Sequence, residues 1–229
     1  MIPRLLRLVL LGCLLLITVG MDIAAPARAA QPPDGPPGRS RNRVNTIAIA
    51  ADGALLAAGD DSTYIHLWDV ATGELRRSLR AHAGAPVTKV AFAPDGRVLA
   101  SVGGDSVARL WDAASGKLLR ELHGHSQAVQ ALAFSADGAL LATGGNDTRT
   151  LVWEVSTGRL LHSLNKPAGF VTALAFSPDG ALLASGNEDA RITLWDTASG
   201  EEQRTLLGHM EAVTDLTFSP DGRTLVSAS

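Results

Sequence analysis

From Val44 onward the chain alternates short apolar runs with clusters of turn-forming residues. One stretch shows the unit: Val171-Thr172-Ala173-Leu174-Ala175-Phe176, then Ser-Pro-Asp-Gly, then Ala181-Leu182-Leu183-Ala184-Ser185, then Ile192-Thr193-Leu194-Trp195. Runs of this length, so closely punctuated, predict strands and not helices. Asp-Gly tolerates the positive φ of a hairpin turn, and Pro178 before it begins the bend, so the first two strands of a unit fold back on each other. A second hairpin is expected after the tryptophan strand, where Thr197-Ala198-Ser199-Gly200 returns the chain towards Gln203 to Leu207. Each unit therefore predicts four antiparallel strands. Val171, Leu174, Phe176, Leu183 and Leu194 cannot all lie on one side, so such a sheet has two apolar faces and must pack between sheets of its own kind.

The unit repeats on a fixed beat. From Val44 on, Asp-Gly recurs at Asp52-Gly53, Asp95-Gly96, Asp137-Gly138, Asp179-Gly180 and Asp221-Gly222, at intervals of 43, 42, 42 and 42 residues. Trp68, Trp111, Trp153 and Trp195 keep the same spacing, as do Gly73, Gly116, Gly158 and Gly200. A period near 42 residues belongs to the blades of a propeller, whose radial stacking covers both faces of every internal sheet.

These residues resemble the WD-repeat β-propeller family. The resemblance rests on Gly124-His125 and Gly208-His209, the Ser-Pro-Asp-Gly turns, and Leu67-Trp68-Asp69, Leu110-Trp111-Asp112 and Leu194-Trp195-Asp196, in register from Val44 to Ser229. It implies an all-β fold, a propeller of four-stranded antiparallel blades starting near residues 44, 87, 129, 171 and 213. Four blades are complete and the fifth is truncated, about four and a half in all. The family commonly binds each blade together with a buried hydrogen-bonded set of loop histidine, Ser or Thr, Asp and Trp. That implies His82, Ser101, Asp105 and Trp111 in the second blade, and His125, Thr143, Asp147 and Trp153 in the third. The fourth keeps Ser185, Asp189 and Trp195, with Pro167 in the histidine's place, so Asp189 needs another donor or water. The first departs further, with Ala58 and Ser62 where Ser and Asp belong, and Trp153 is followed by Glu154 instead of Asp.

The N-terminus differs in composition from the repeats. Arg4 and Arg7, the uncharged run Leu8 to Val19, and Ala27-Arg28-Ala29 read as a cleavable export signal over residues 1–29. Gly20 and Asp22 break the run short of the roughly 20 apolar residues that a spanning helix needs. Leu10-Leu11-Gly12-Cys13 resembles a lipoprotein box, but Leu11 is bulky and the apolar run continues past Cys13, so lipidation is the lesser reading. Residues 30–43, rich in Pro, Gly and Arg, read as a solvated linker with nothing to bury. The expected location is therefore periplasmic or extracellular, in a bacterium, with no stable membrane insertion once the signal is cleaved.

Composition narrows the function. With 20 Lys+Arg against 23 Asp+Glu, a net charge of -3 and no long basic run, the chain is not built as a nucleic-acid binder. Cys13 is the single cysteine, so no thiolate zinc site can form within the chain. His66, His123 and His162 fall on strands at unequal offsets and read as solvated, without metal spacing. The Ser, His and Asp of the blade sets recur with an indole partner, which marks a repeated structural network and not a hydrolase triad. No phosphate loop, H-E-x-x-H or G-x-S-x-G occurs.

The expectation is a non-catalytic scaffold without cofactor or metal, binding a protein or peptide partner through its loops. Phe170 leads the candidates because Ala128 and Ala212 stand at the matching places, and aromatic anchors dominate interfaces; it could equally fill the gap left by the missing histidine. Gln127, Glu211, Asn146, Glu188 and Asp61 occupy comparable loop positions. The alternative is a regulatory or substrate-binding propeller of an exported enzyme whose catalytic part lies elsewhere. Related proteins most often close seven blades, more than Val44 to Ser229 supplies, so the sequence reads as a fragment; were it complete, its open blade edges would favour edge-to-edge self-association.

Overall fold

A computed structural model describes residues 42–166 and 169–229. The export signal, nearly all of the linker and the place of Pro167 lie outside the described residues. The first sheet contains β1 (Val44–Ile49), β2 (Leu55–Asp60), β3 (Tyr64–Asp69) and β4 (Leu75–Arg80). The second contains β5 (Val87–Phe92), β6 (Val98–Gly103), β7 (Val107–Asp112) and β8 (Leu118–His123). The third contains β9 (Val129–Phe134), β10 (Leu140–Gly145), β11 (Arg149–Glu154) and β12 (Leu160–Asn165). The fourth contains β13 (Val171–Phe176), β14 (Leu182–Asn187), β15 (Ile192–Asp196) and β16 (Glu202–Leu206), and β17 (Asp215–Phe218) pairs with β18 (Leu225–Ala228) in the fifth. Strands are antiparallel and in chain order within every sheet, and no helix occurs among the described residues.

Local chemistry sets the hairpins. The glycines of the five Asp-Gly turns all have φ between 70° and 72°, the left-handed conformation that glycine adopts without a Cβ clash. The second hairpin is folded by the acid that follows the tryptophan. Asp69, Asp112 and Asp196 each accept the backbone N–H three residues on, at 2.8, 2.7 and 2.8 Å. At Asp69 the Thr72 amide and the Arg76 guanidinium hold the carboxyl down to about 2.

The core lies between the blades. Ala57, Ile65, Leu67 and Leu79 of the first pack against Val87, Val90, Leu99 and Trp111 of the second. Likewise Ala142, Val152 and Leu164 of the third meet Leu174, Leu183 and Trp195 of the fourth. Each tryptophan face of the second to fourth blades is thus covered by the aliphatic face of the blade before it. On the first blade that face is open: Ile47 is 56% exposed, whereas its counterpart Val90 is 3% exposed.

Side-chain ties cross the same boundaries at the innermost strands. Asn45 Nδ2 donates to the Val87 carbonyl at 3.1 Å, Thr88 Oγ1 to that of Val129, and Thr172 Oγ1 to that of Val213. These bonds fix the backbones that carry the loops.

Candidate functional site

In the second blade His82 stands on the loop before β5, Ser101 on β6, Asp105 in the β6–β7 turn and Trp111 on β7. His82 Nδ1 lies 2.7 Å from Asp105 Oδ1 and Nε2 lies 3.0 Å from Ser101 Oγ, which also accepts Trp111 Nε1–H at 3.0 Å. The third blade repeats this, with His125 Nδ1 2.9 Å from Asp147 Oδ1, His125 Nε2 2.9 Å from Thr143 Oγ1, and Trp153 Nε1–H donating to Thr143 Oγ1 at 2.9 Å. Histidine, hydroxyl and indole are buried in both. A hydroxyl enclosed this way and shared with an indole cannot approach a substrate; what the set does is clamp the loop to the sheet.

Burial is the largest influence on the two histidines and holds both imidazoles below their ordinary value, against the pull of the neighbouring carboxylates. Burial also pushes Asp105 and Asp147 up, but it is outweighed. At Asp105 the opposing groups are His82 and Arg109, at Asp147 the Ser126 amide, His125 and Arg149, and both carboxyls end below the ordinary value. The neutral-histidine, ionised-aspartate state is therefore favoured.

The candidate loop residues cluster at the end of the sheets where these histidines sit. Asp61, Asn146 and Glu188 follow the second strands of their blades, while Gln127, Phe170 and Glu211 precede the first. Phe170 is 40% exposed, and its carbonyl accepts Glu188 N–H at 2.9 Å. Gln127, Glu188 and Glu211 are exposed. Asp61 is exposed but accepts Asn45 Nδ2–H at 2.7 Å, and Asn146 is half-buried, its N–H donating to the Ala128 carbonyl at 2.8 Å. The same end carries further exposed apolar side chains, Leu207 at 77% and Met210 at 96% before the fifth blade, and Val44 and Tyr64 on the first. A groove of about 430 Å³ between the first two blades is lined instead by Asp52, Leu55, Leu67, Arg77 and Ala113, near the opposite turns. Among the described residues no group of three or more His, Cys, Asp or Glu is placed to hold a metal.

The chain matches the WD domain, G-beta repeat family over residues 37–69, 73–112, 116–154, 158–196 and 200–229. It is a WD-repeat protein. No curated protein matches it.

The repeats that depart from the WD pattern are rebuilt from other residues. In the first WD repeat Asp60, at the end of β2, accepts Ser62 N–H, Ser62 Oγ–H and Tyr64 N–H at 2.9, 2.8 and 3.1 Å. His66 Nε2 lies 3.3 Å from the same carboxylate and Nδ1 lies 2.8 Å from Ser78 Oγ. His66 is thus a bonded member of the sheet, contrary to its reading as a solvated histidine; the cross-strand pairing of β3 with β4 puts Ser78 beside it. His123 is largely exposed, 3.7 Å from Glu121, and His162 packs over Gly200. In the fourth repeat Trp195 Nε1–H donates to Ser185 Oγ at 2.8 Å, and Asp189 pairs with Arg191 at 3.3 Å. In the fifth, His209 Nε2 lies 2.6 Å from Ser227 Oγ.

Sequence reasoning missed the arginines. Arg109 Nη1 donates to Asp105 Oδ2 at 2.7 Å and Arg149 Nη2 to Asp147 Oδ2 at 2.8 Å, giving each turn carboxylate a cationic partner besides the neutral histidine. The signal that could have found them is an arginine two or four residues after the turn aspartate, at 147–149, 189–191 and 105–109.

Proposed function

We propose that this protein is an exported, non-catalytic scaffold that binds a protein or peptide partner at the loop end of its blades, with Phe170 as anchor. The observation that carries the reading is the exposure of Phe170, Leu207 and Met210 together on the loops entering the fourth and fifth blades. The second and third blades have Pro86 and Ala128 at the position of Phe170, and Ala83 and Ser126 at that of Met210, so the fourth and fifth blades offer more bulky apolar surface there than the second and third. WD-repeat domains generally mediate protein–protein interactions, and an aromatic side chain next to a sheet strand, its carbonyl held by the Glu188 N–H, gains affinity from low ordering cost. Export is supported by the basic start, the apolar run from Leu8 to Val19 and the small residues around Arg28.

Affinity capture from the exported fraction of the source cells, with wild-type protein and with Phe170→Ala plus Met210→Ala, tests the site. The double variant is expected to fold as wild type and lose the captured partner; equal capture by both would place binding elsewhere. Export is checked by fusing residues 1–43 to a reporter that matures only outside the cytoplasm, where an inactive fusion contradicts the reading.

A further inference from the structure

The five Asp-Gly turns share one geometry and differ in one hydrogen bond. In each, the glycine N–H donates to the carbonyl three residues back at 2.8 or 2.9 Å. In each, the aspartate Oδ1 accepts the backbone N–H two residues on, at 2.9 to 3.1 Å. What separates them is the residue two places before the aspartate. In the last three it is serine, and Ser135, Ser177 and Ser219 each donate Oγ–H to the aspartate Oδ1 at 2.6 Å. Those hydroxyls are themselves held, accepting the N–H of Leu140, Leu182 and Thr224 at 2.9 Å. In the first two turns the place belongs to Ala50 and Ala93, which have no hydroxyl to offer.

An aspartyl-glycyl peptide carries its own route to modification. The glycine nitrogen attacks the side-chain carboxyl carbon, a C–N bond forms, and the carboxyl hydroxyl leaves as water with the nitrogen's proton, closing a succinimide. Water then adds to either ring carbonyl and breaks one C–N bond, returning aspartate or giving isoaspartate. Water is the only co-reactant and nothing is oxidised or reduced. Because the leaving group is the hydroxyl of the neutral acid, a bond that pins the carboxylate and favours its ionised form slows closure. The serine does both. Its hydroxyl is the largest cause that holds Asp137, Asp179 and Asp221 below the ordinary carboxylate value, followed by the amide two residues on.

We propose that Asp52 and Asp95 are spontaneous modification sites, the two Asp-Gly turns at which isoaspartate accumulates in the folded protein, and that Ser135, Ser177 and Ser219 spare the other three. Both aspartates are exposed, so water reaches them. The product lengthens the main chain of the turn by one methylene at the end of the blade opposite the loop histidines.

The test is incubation of the folded full-length protein in heavy-oxygen water, followed by digestion in ordinary water and mass spectrometry of the five blade Asp-Gly peptides, leaving aside Asp34-Gly35 of the linker, for retained label and for the isoaspartyl isomer. Label is expected to enter the Asp52 and Asp95 peptides several-fold faster than the other three, and the five rates to converge in urea. Ser177→Ala should raise the Asp179 rate towards that of Asp95, and Ala93→Ser should lower the Asp95 rate. Equal rates at all five turns of the folded wild type, or fastest labelling at a serine turn, would overturn the proposal. Exchanges of serine and alanine that leave both rates unchanged would do the same.

Discussion

A Cβ added to Gly103 would stand 2.8 Å from Cγ of His82 and 2.6 Å from the Pro86 carbonyl oxygen. The loop histidine of the second blade is seated on a bare glycine. Gly145 serves His125 in the same way, since a Cβ there would fall 3.1 Å from Nδ1 and 2.9 Å from the Ala128 carbonyl oxygen. The first and fourth blades have no histidine at the matching loop place, and there Asp60 and Asn187 stand where the glycine would be, both buried. Gly103→Ala is therefore expected to destabilise the fold by about 2 kcal/mol through overpacking. Urea unfolding followed by tryptophan fluorescence measures it, and a midpoint equal to wild type would show that the seat yields.

Acid should weaken the fold in two stages. His82 and His125 are held below the ordinary imidazole value of 6.5, so the unfolded chain binds more protons and stability falls as pH drops through about 6.5. Asp105 and Asp147, held below 3.8, add a second loss under that value. The urea midpoint measured against pH is expected to be flat above the imidazole range and to decline in both windows. A double variant, His82→Gln with His125→Gln, should be less stable at neutral pH and lack the first decline alone. A wild-type midpoint that stays constant through the imidazole range would contradict this account.

Thr143→Val keeps the shape of the side chain while removing the hydroxyl that His125 and Trp153 share. It leaves an indole N–H and an imidazole nitrogen buried without partners, at a cost of about 1–3 kcal/mol. Ser185→Ala should cost less, since that hydroxyl serves the indole of Trp195. Thermal unfolding of the two variants ranks them, and the reverse order would show that the histidine bond contributes little.

Gln130 occupies the position of Asn45, Thr88 and Thr172, whose side chains reach the next blade. Gln130→Thr would set a hydroxyl against the Val171 carbonyl and is expected to stabilise by about 0.5–1.5 kcal/mol. A raised urea midpoint with unchanged slope is the result sought; a lowered one would mean the third junction is packed differently.

Thr63, Ser106, Thr148 and Ala190 have φ of 81°, 63°, 64° and 65°, a left-handed residue in the same turn of four blades with no glycine among them. Ala190→Gly should relieve the Cβ clash and gain up to about 1 kcal/mol, read from the same unfolding curves. Loss of stability would place the greater weight on the unfolded chain's freedom.

How far the sequence reaches is clearest at particular residues. Asp-Gly at residues 52–53, Thr-Ala-Ser-Gly at 197–200 and the apolar runs between them act within a few residues of each other. Strand order, hairpin direction and the all-β, bladed fold were therefore legible from the residues alone. The two-faced apolar pattern also required sheet-on-sheet stacking. The bonds of Arg109, Arg149 and His66 were not legible one residue at a time, because an arginine or histidine on a strand looks alike whether it meets water or a carboxylate; only the recurrence of an arginine after the turn aspartate pointed to the first two.

By itself the sequence determined the repeat, its strands and its membership of the WD-repeat family, since hydrophobic period and turn chemistry are local properties that survive without tertiary context. Only the tertiary structure decided which carboxylate faces which cation, which glycine seats a histidine, and which turn holds a left-handed threonine. His82 and Asp105 are 23 residues apart along the chain and 2.7 Å apart in space, and distances of that kind are set by how one sheet packs on the next.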